Sequence, residues 1–161
     1  KRQIQNIMKA LEKTKLQKIV IYPCSDPGWK DVVEVIGPYS KQQNFKLFKS
    51  VPFESFLSLM KNASYFVGNS SAGIIEAPYF DLPFVLVGDR QKLREHDMNV
   101  IHSNGDLDDL DLKFQEARKA KRNLTTSKNK LFGDGKACER IFEIIDRTNL
   151  SADFFQKRIT F

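Results

Sequence analysis

Tyr65-Phe66-Val67-Gly68-Asn69-Ser70-Ser71-Ala72-Gly73-Ile74-Ile75-Glu76-Ala77-Pro78 is the most informative segment of the chain. An apolar run closes at Gly68, a polar turn follows, and small and aliphatic residues then open a helix. The unit is a strand, a tight turn and a helix start. Downstream, Phe84-Val85-Leu86-Val87 is apolar at every position, the pattern of a strand covered on both faces. Upstream, Lys18–Tyr22 and Phe45–Phe48 read as two further strands, and Asn99–Ile101 reads as a short fifth. Helical periodicity separates them: through Val32, Val33 and Ile36, and from about Phe53 to Asn62 with Phe53, Phe56, Leu57 and Met60 on one face. Strands that alternate with helices predict an α/β fold, a doubly wound parallel sheet with helices on both faces.

The flanks extend this pattern. Ile4, Ile7, Met8 and Leu11 recur at helical spacing, so a helix is under way at the first residue, which is not expected to be a natural boundary. Two tail helices are expected, at about Leu107–Lys121 and Lys136–Asp146. In the second, Cys138, Ile141, Phe142 and Ile145 are expected to form a buried stripe. Asn149–Phe161 reads as a further helix or an arm.

Composition narrows the function classes. The 161 residues fit one compact domain, and 41% hydrophobic with 29% charged residues is ordinary for a soluble globular protein. A net charge of +6 favours anionic partners. The positive residues are dispersed, however, and the densest run, Arg118-Lys119-Ala120-Lys121-Arg122, reads as a solvated face; no nucleic-acid partner is expected. Cys24 and Cys138 have no metal-ligand spacing and read as reduced thiols, so no metal is expected and a cytoplasmic location is. No apolar run approaches the ~18 residues of a membrane span, and no membrane partner is expected.

In an open parallel sheet, ligands bind outside the carboxyl ends of the strands. The turn at Asn69–Ser71 falls there. Two readings fit it. In one, unpaired helix N–H groups and the Ser70 and Ser71 hydroxyls receive a phosphate, Ala72 and Gly73 keep the surface low, and Glu76 accepts hydrogen bonds from the 2′- and 3′-hydroxyls of a ribose. In the other, Ser70 is a helix cap, the small residues serve packing, and Glu76 is solvated. Gly88-Asp89-Arg90-Gln91-Lys92-Leu93-Arg94-Glu95 follows the next strand and brings Arg90 and Arg94 to the same edge, which favours the phosphate. Val51-Pro52-Phe53-Glu54-Ser55-Phe56 follows the second strand. A base could meet the Val51 backbone and the Phe56 ring there, although Phe56 also fits a core position. Asp26 reads as a turn or capping residue, and Gly133-Asp134-Gly135 as a turn that aims the last helix.

At these residues the sequence resembles the hydrolysing UDP-N-acetylglucosamine 2-epimerases. The resemblance rests on Gly68-Asn69-Ser70-Ser71 with Gly73, Ile74, Glu76 and Pro78; on Gly88-Asp89-Arg90-Gln91 with Arg94; and on Gly133-Asp134-Gly135-Lys136-Ala137 with Glu139-Arg140-Ile141. Asn69-Ser70-Ser71 and the Arg90-Gln91 pair favour it over the alternatives: the non-hydrolysing branch, which usually has Asp-Ser-Gly-Gly at the first place, a GT-B glycosyltransferase donor domain, and a free-standing nucleotide-binding module. The resemblance implies one Rossmann-like half of a two-domain GT-B fold, with residues 1–161 as the C-terminal, UDP-binding domain. Its partners would be UDP or a UDP-N-acetylglucosamine-type nucleotide sugar, and the N-terminal domain of the same enzyme. No cofactor is implied. Carried over, Ser70 and Ser71 bind the diphosphate, Glu76 the ribose, Arg90 and Arg94 phosphate, and Val51 and Phe56 the base. Cys24 departs from the Asn that the family often carries there. No catalytic residue is assigned: the family's carboxylates lie in the N-terminal domain, and His96 and His102 read as structural or solvated.

Overall fold

In a computed structural model, residues 1–121, 124 and 131–149 are described. The elements run α1 (Arg2–Glu12), β1 (Lys18–Ile21), α2 (Trp29–Ile36), β2 (Phe45–Phe48), α3 (Phe53–Asn62), β3 (Phe66–Gly68), α4 (Ala72–Ile75), β4 (Phe84–Val87), β5 (Val100–Ser103), α5 (Leu107–Ala120) and α6 (Ala137–Arg147). Short 3-10 turns at Gly37–Lys41 and Ala77–Phe80 follow α2 and α4, each with a proline in its first turn. The chain divides into two compact units, Lys1–Lys128 and Asn129–Phe161.

Every strand pairing is parallel. β1 pairs with β2 from Lys18↔Phe45 to Ile21↔Phe48. β4 lies between β3 and β5, with Phe66↔Phe84 on one side and Phe84↔Val100 on the other. The ladders form one set of two strands and one of three, rather than a single continuous sheet. Residues of both sets nevertheless meet in one core, where Val20, Leu47, Val67, Val85 and Ile101 pack with Met8, Leu11, Leu110 and Phe114.

β4 shows why the chain folds as layers. All four of its residues are buried. Val85 and Val87 point into the core shared with α1 and α5, whereas Phe84 and Leu86 point the other way, against Ile74 of α4. Side chains alternate across a strand, so an all-apolar strand requires cover on both faces. Each buried side chain of this size contributes roughly 1.5–3 kcal/mol. α1 and α5 share one layer, joined by Lys13–Asp111 and by Arg2–Asp106 at 2.9 Å.

Three sequence expectations change. Cys138 is exposed, and Ile141, Phe142 and Ile145 are 56%, 70% and 60% exposed, so the stripe of α6 is not buried. Periodicity decides which residues share a helical face; it does not supply an element to cover that face. β5 begins and ends later than expected, which puts His102 within the strand. On α3, Phe53 is 61% exposed while Met60 is buried and Phe56 and Leu57 are half-buried, so the apolar face is only partly covered. The reading of the last residues as a helix or arm falls, apart from Asn149, outside the described residues, as does Arg122 of the basic run.

The closest approach between α4 and the sheet is at Gly73. A Cβ on that residue would lie 2.4 Å from the Phe84 ring, which is itself buried and tilted against Phe66 at 5.1 Å between ring centres. Gly73→Ala should therefore destabilise the fold by about 1–3 kcal/mol, the usual cost of overpacking. A lower urea midpoint at unchanged slope is the expected result.

Candidate functional site

Parallel pairing brings together the carboxyl ends of β1 and β2 in one set and of β3, β4 and β5 in the other, and specific contacts tie the loops that follow them together. β3 ends at Gly68 with φ +151°, a conformation that favours glycine, and nothing stands within 4 Å of where its Cβ would be. The chain then turns through Asn69 and Ser70, both exposed, into α4. Ser71 is the N-cap residue, already helical at φ −61° and ψ −24°, and its carbonyl accepts from the Ile74 and Ile75 N–H groups at 2.9 Å. The Ser70 hydroxyl oxygen accepts from the Ala72 N–H at 3.3 Å. Its own proton is left to donate outward.

Gly73 has a different role from the expected one. It is buried against Phe84 and seats α4 on the sheet, so it does not form the surface on which an anion would rest. Glu76 closes the short helix, with its N–H donating to the Ala72 carbonyl at 3.0 Å. One of its carboxylate oxygens, Oε2, is buried and has no hydrogen-bond partner among the described residues. A buried acceptor without a donor costs roughly 1–3 kcal/mol, and more for a charged group.

The loop after β4 reaches two of its neighbours. Arg90 Nη1 donates to Asp26 Oδ2 at 2.9 Å, linking it to the loop after β1. Both side chains are about half exposed (54% and 55%), so this pair contributes on the order of 0–1 kcal/mol and yields readily to a better anion. Gln91 is only 4% exposed, and its Nε2 donates to the Asn69 carbonyl at 3.2 Å. Arg94 is exposed on a turn closed by its N–H on the Gln91 carbonyl at 3.1 Å. Val51 precedes α3, and the half-buried Phe56 ring stands edge-on to Phe66 at 6.4 Å. The structure thus gathers Ser70, Ser71 and Glu76 on one segment, with Arg90 and Gln91 beside it. Phe56 packs against the cluster of Met60, Ala77 and Leu82, as does Ala72 beside the turn.

The sequence does not signal the burial of two polar residues, Gln91 beside Arg90 and Asn99 at the expected start of the fifth strand. Asn99 is 1% exposed and donates from Nδ2 to the Gly73 carbonyl at 3.0 Å and the Leu82 carbonyl at 3.1 Å. A polar side chain among charged or loop residues carries no signal of burial; only packing reveals it.

Gly133-Asp134-Gly135 is a turn closed from within. Asp134 accepts from both Arg140 Nη atoms, at 2.8 and 2.7 Å, and from the Lys136 N–H at 3.1 Å. The Arg140 guanidinium, helped by that N–H, holds the Asp134 carboxyl down at about 2. This agrees with the reading of the segment as a turn that aims the last helix. No group of three or more metal-ligating side chains occurs among the described residues.

His96 and His102 stand together, Nε2 to Nε2 at 3.2 Å, so the loop after β4 also touches β5. Burial, followed by the His96 and Lys92 charges, lowers the His102 pKa. A lowered folded-state pKa means that stability is complete above the unfolded value of ~6.5 and is lost as pH falls through the folded value. An NMR titration should place the His102 midpoint below ~6.5, and His102→Asn should flatten the loss of stability between neutral and acid pH. A midpoint at or above the ordinary value would contradict the pairing.

Comparison with known proteins accords with this geometry. Residues 1–146 match the family model described as UDP-N-acetylglucosamine 2-epimerase. A UDP-N,N'-diacetylbacillosamine 2-epimerase (hydrolyzing) of Legionella pneumophila is 33% identical over 155 residues, 96% of this chain and 40% of its own length. A UDP-N-acetylglucosamine 2-epimerase of Neisseria meningitidis is 38% identical over 109 residues, 68% of this chain and 29% of its own. Among solved structures, the Methanocaldococcus jannaschii UDP-GlcNAc 2-epimerase in complex with UDP-GlcNAc and UDP superposes with a TM-score of 0.67 at 22% identity, over 90% of this chain and 41% of that one. The chain thus spans about two fifths or less of these relatives, and its fold is one Rossmann-like half of the GT-B architecture. With the family model matched over most of its length, the chain belongs to the UDP-N-acetylglucosamine 2-epimerase family.

Proposed function

We propose that this chain is the UDP-binding, C-terminal half of a hydrolysing 2-epimerase, acting on UDP-N-acetylglucosamine or a diacetamido relative such as the substrate named for the Legionella protein. The observation that carries this reading is the buried, unpartnered Oε2 of Glu76, little more than one helical turn beyond Ser70 and Ser71 and near Arg90 on the next strand end. A ribose diol supplies the donors that this oxygen lacks, while the Ser70 and Ser71 hydroxyls and Arg90 suit the diphosphate. Arg94 is a second cation that can close on it. Val51 and Phe56 are assigned to the base. The hydrolysing branch is supported by Asn69-Ser70-Ser71 and by the Arg90-Gln91 pair.

The reaction removes the C2 proton of the sugar to a base and breaks the C1–O bond, so UDP departs by anti elimination. Water then adds across the glycal, hydroxyl to C1 and proton to the opposite face of C2, giving the free manno-configured sugar. The residues of this chain hold the leaving UDP. Carboxylates of the remaining part of the protein supply the acid–base steps, so this chain alone binds UDP and does not turn over.

Calorimetric titration with UDP, with ADP as control, should show UDP-selective binding that Arg90→Ala weakens by roughly ten- to a hundredfold, the worth of one charge-assisted hydrogen bond. Binding of ADP as tight as that of UDP would remove the base assignment. Glu76→Ala should weaken UDP far more than inorganic phosphate. Equal losses for the two ligands would sink the ribose role.

A further inference from the structure

Gln91 is buried in the loop that follows β4, at 4% exposure, although one of its polar atoms has no partner there. Its Nε2 donates to the Asn69 carbonyl, but its Oε1 is buried without a partner. A hydrophobic side chain of the same length would fill the space without an unpaired oxygen. The hydrogen bond that is made falls on one particular peptide group. The Asn69 carbonyl shares a plane with the Ser70 N–H, and in a trans peptide the two point in opposite directions. No cis peptide bond occurs here.

We propose that Gln91 is the positioning residue of the anion-binding turn. By holding the Asn69 carbonyl inward, it turns the Ser70 N–H outward, toward the place where the diphosphate is received. Ser70 is exposed while Gln91 is buried, so the two ends of this peptide group face opposite environments. The neighbouring Arg90 lies on the same loop, so Gln91 also sets the spacing between the guanidinium and the turn. Asn99 acts alongside it, fixing the Gly73 carbonyl from the segment before β5. The two amides hold either end of the segment 69–73 from β4 and β5. This inference rests on the UDP-binding reading above.

The test uses two near-isosteric variants of the full-length protein. Gln91→Glu removes the donor and sets a carboxylate against the Asn69 carbonyl. Gln91→Met removes both polar groups. UDP and uridine affinities are measured by ligand-observed NMR, thermal unfolding by calorimetry, and the Ser70 amide by hydrogen exchange without ligand. Both variants should lose about tenfold or more in UDP affinity, as expected when a charge-assisted contact is misaligned, and keep uridine affinity within about twofold, since Glu76 still meets the ribose. Gln91→Met should melt no lower than the parent, and the Ser70 amide should exchange faster or shift in both. Unchanged UDP affinity, or equal losses for UDP and uridine, would overturn the assignment. A parent protein that binds no UDP would fail before any variant is compared, and would bring down the functional reading itself. If Gln91→Met does not fold, Gln91 is a structural residue and the assignment is wrong.

Discussion

The contact between Gly73 and the Phe84 ring is the constraint on which the site depends. The first turn after β3 can reach the sheet edge only if α4 lies flat on β4, and it lies flat only because Gly73 has no side chain. Phe84 in turn cannot move away, since Phe66, Ile74 and Leu86 enclose it and β3 and β5 flank its backbone. A packing contact in the core thereby fixes the position of polar groups at the surface. Interiors packed to crystal-like density transmit such constraints without slack.

Around this apolar seat the polar groups are arranged at some cost. Glu76, Gln91 and Asn99 each keep one oxygen buried and unpaired. Three such atoms within one small region are a departure from the rule that buried polar groups find partners. Each such atom costs stability, so their retention together sets this region apart from the apolar seat beside it. The Arg90–Asp26 pair fits the same logic in a milder form. It is exposed, weak and easily exchanged, so the guanidinium stays close to the edge without being committed.

The two units contribute differently. The first, residues 1–128, contains the sheet edge and all the assigned site residues. The second presents α6, whose Ile141, Phe142, Ile144 and Ile145 are each more than half exposed. The turn before α6 is held by the Asp134–Arg140 fork and not by burial. The resemblance in this region therefore reflects how a helix begins, a local matter of caps and charges.

How much was legible beforehand follows from the range of the forces involved. The elements and their class are written in local pattern. An all-apolar Phe84–Val87 must be covered twice, the spacing of Ile4, Ile7, Met8 and Leu11 makes a helix, and alternation of the two makes a parallel sheet. Local pattern also pointed to Ser70, Ser71, Glu76 and Arg90, because strand ends in such a sheet share one edge. Which side chains are buried follows from packing between distant segments. That packing put Gly73 in the core instead of under a ligand, sank Gln91 and Asn99 beneath the turn, left the α6 stripe exposed, and paired His96 with His102. Periodicity and turn chemistry act over a few residues and are written in the chain. Burial and hydrogen-bond pairing join residues far apart in sequence, such as Asn69 with Gln91 or Asp26 with Arg90, and exist only once the sheet has brought their loops together.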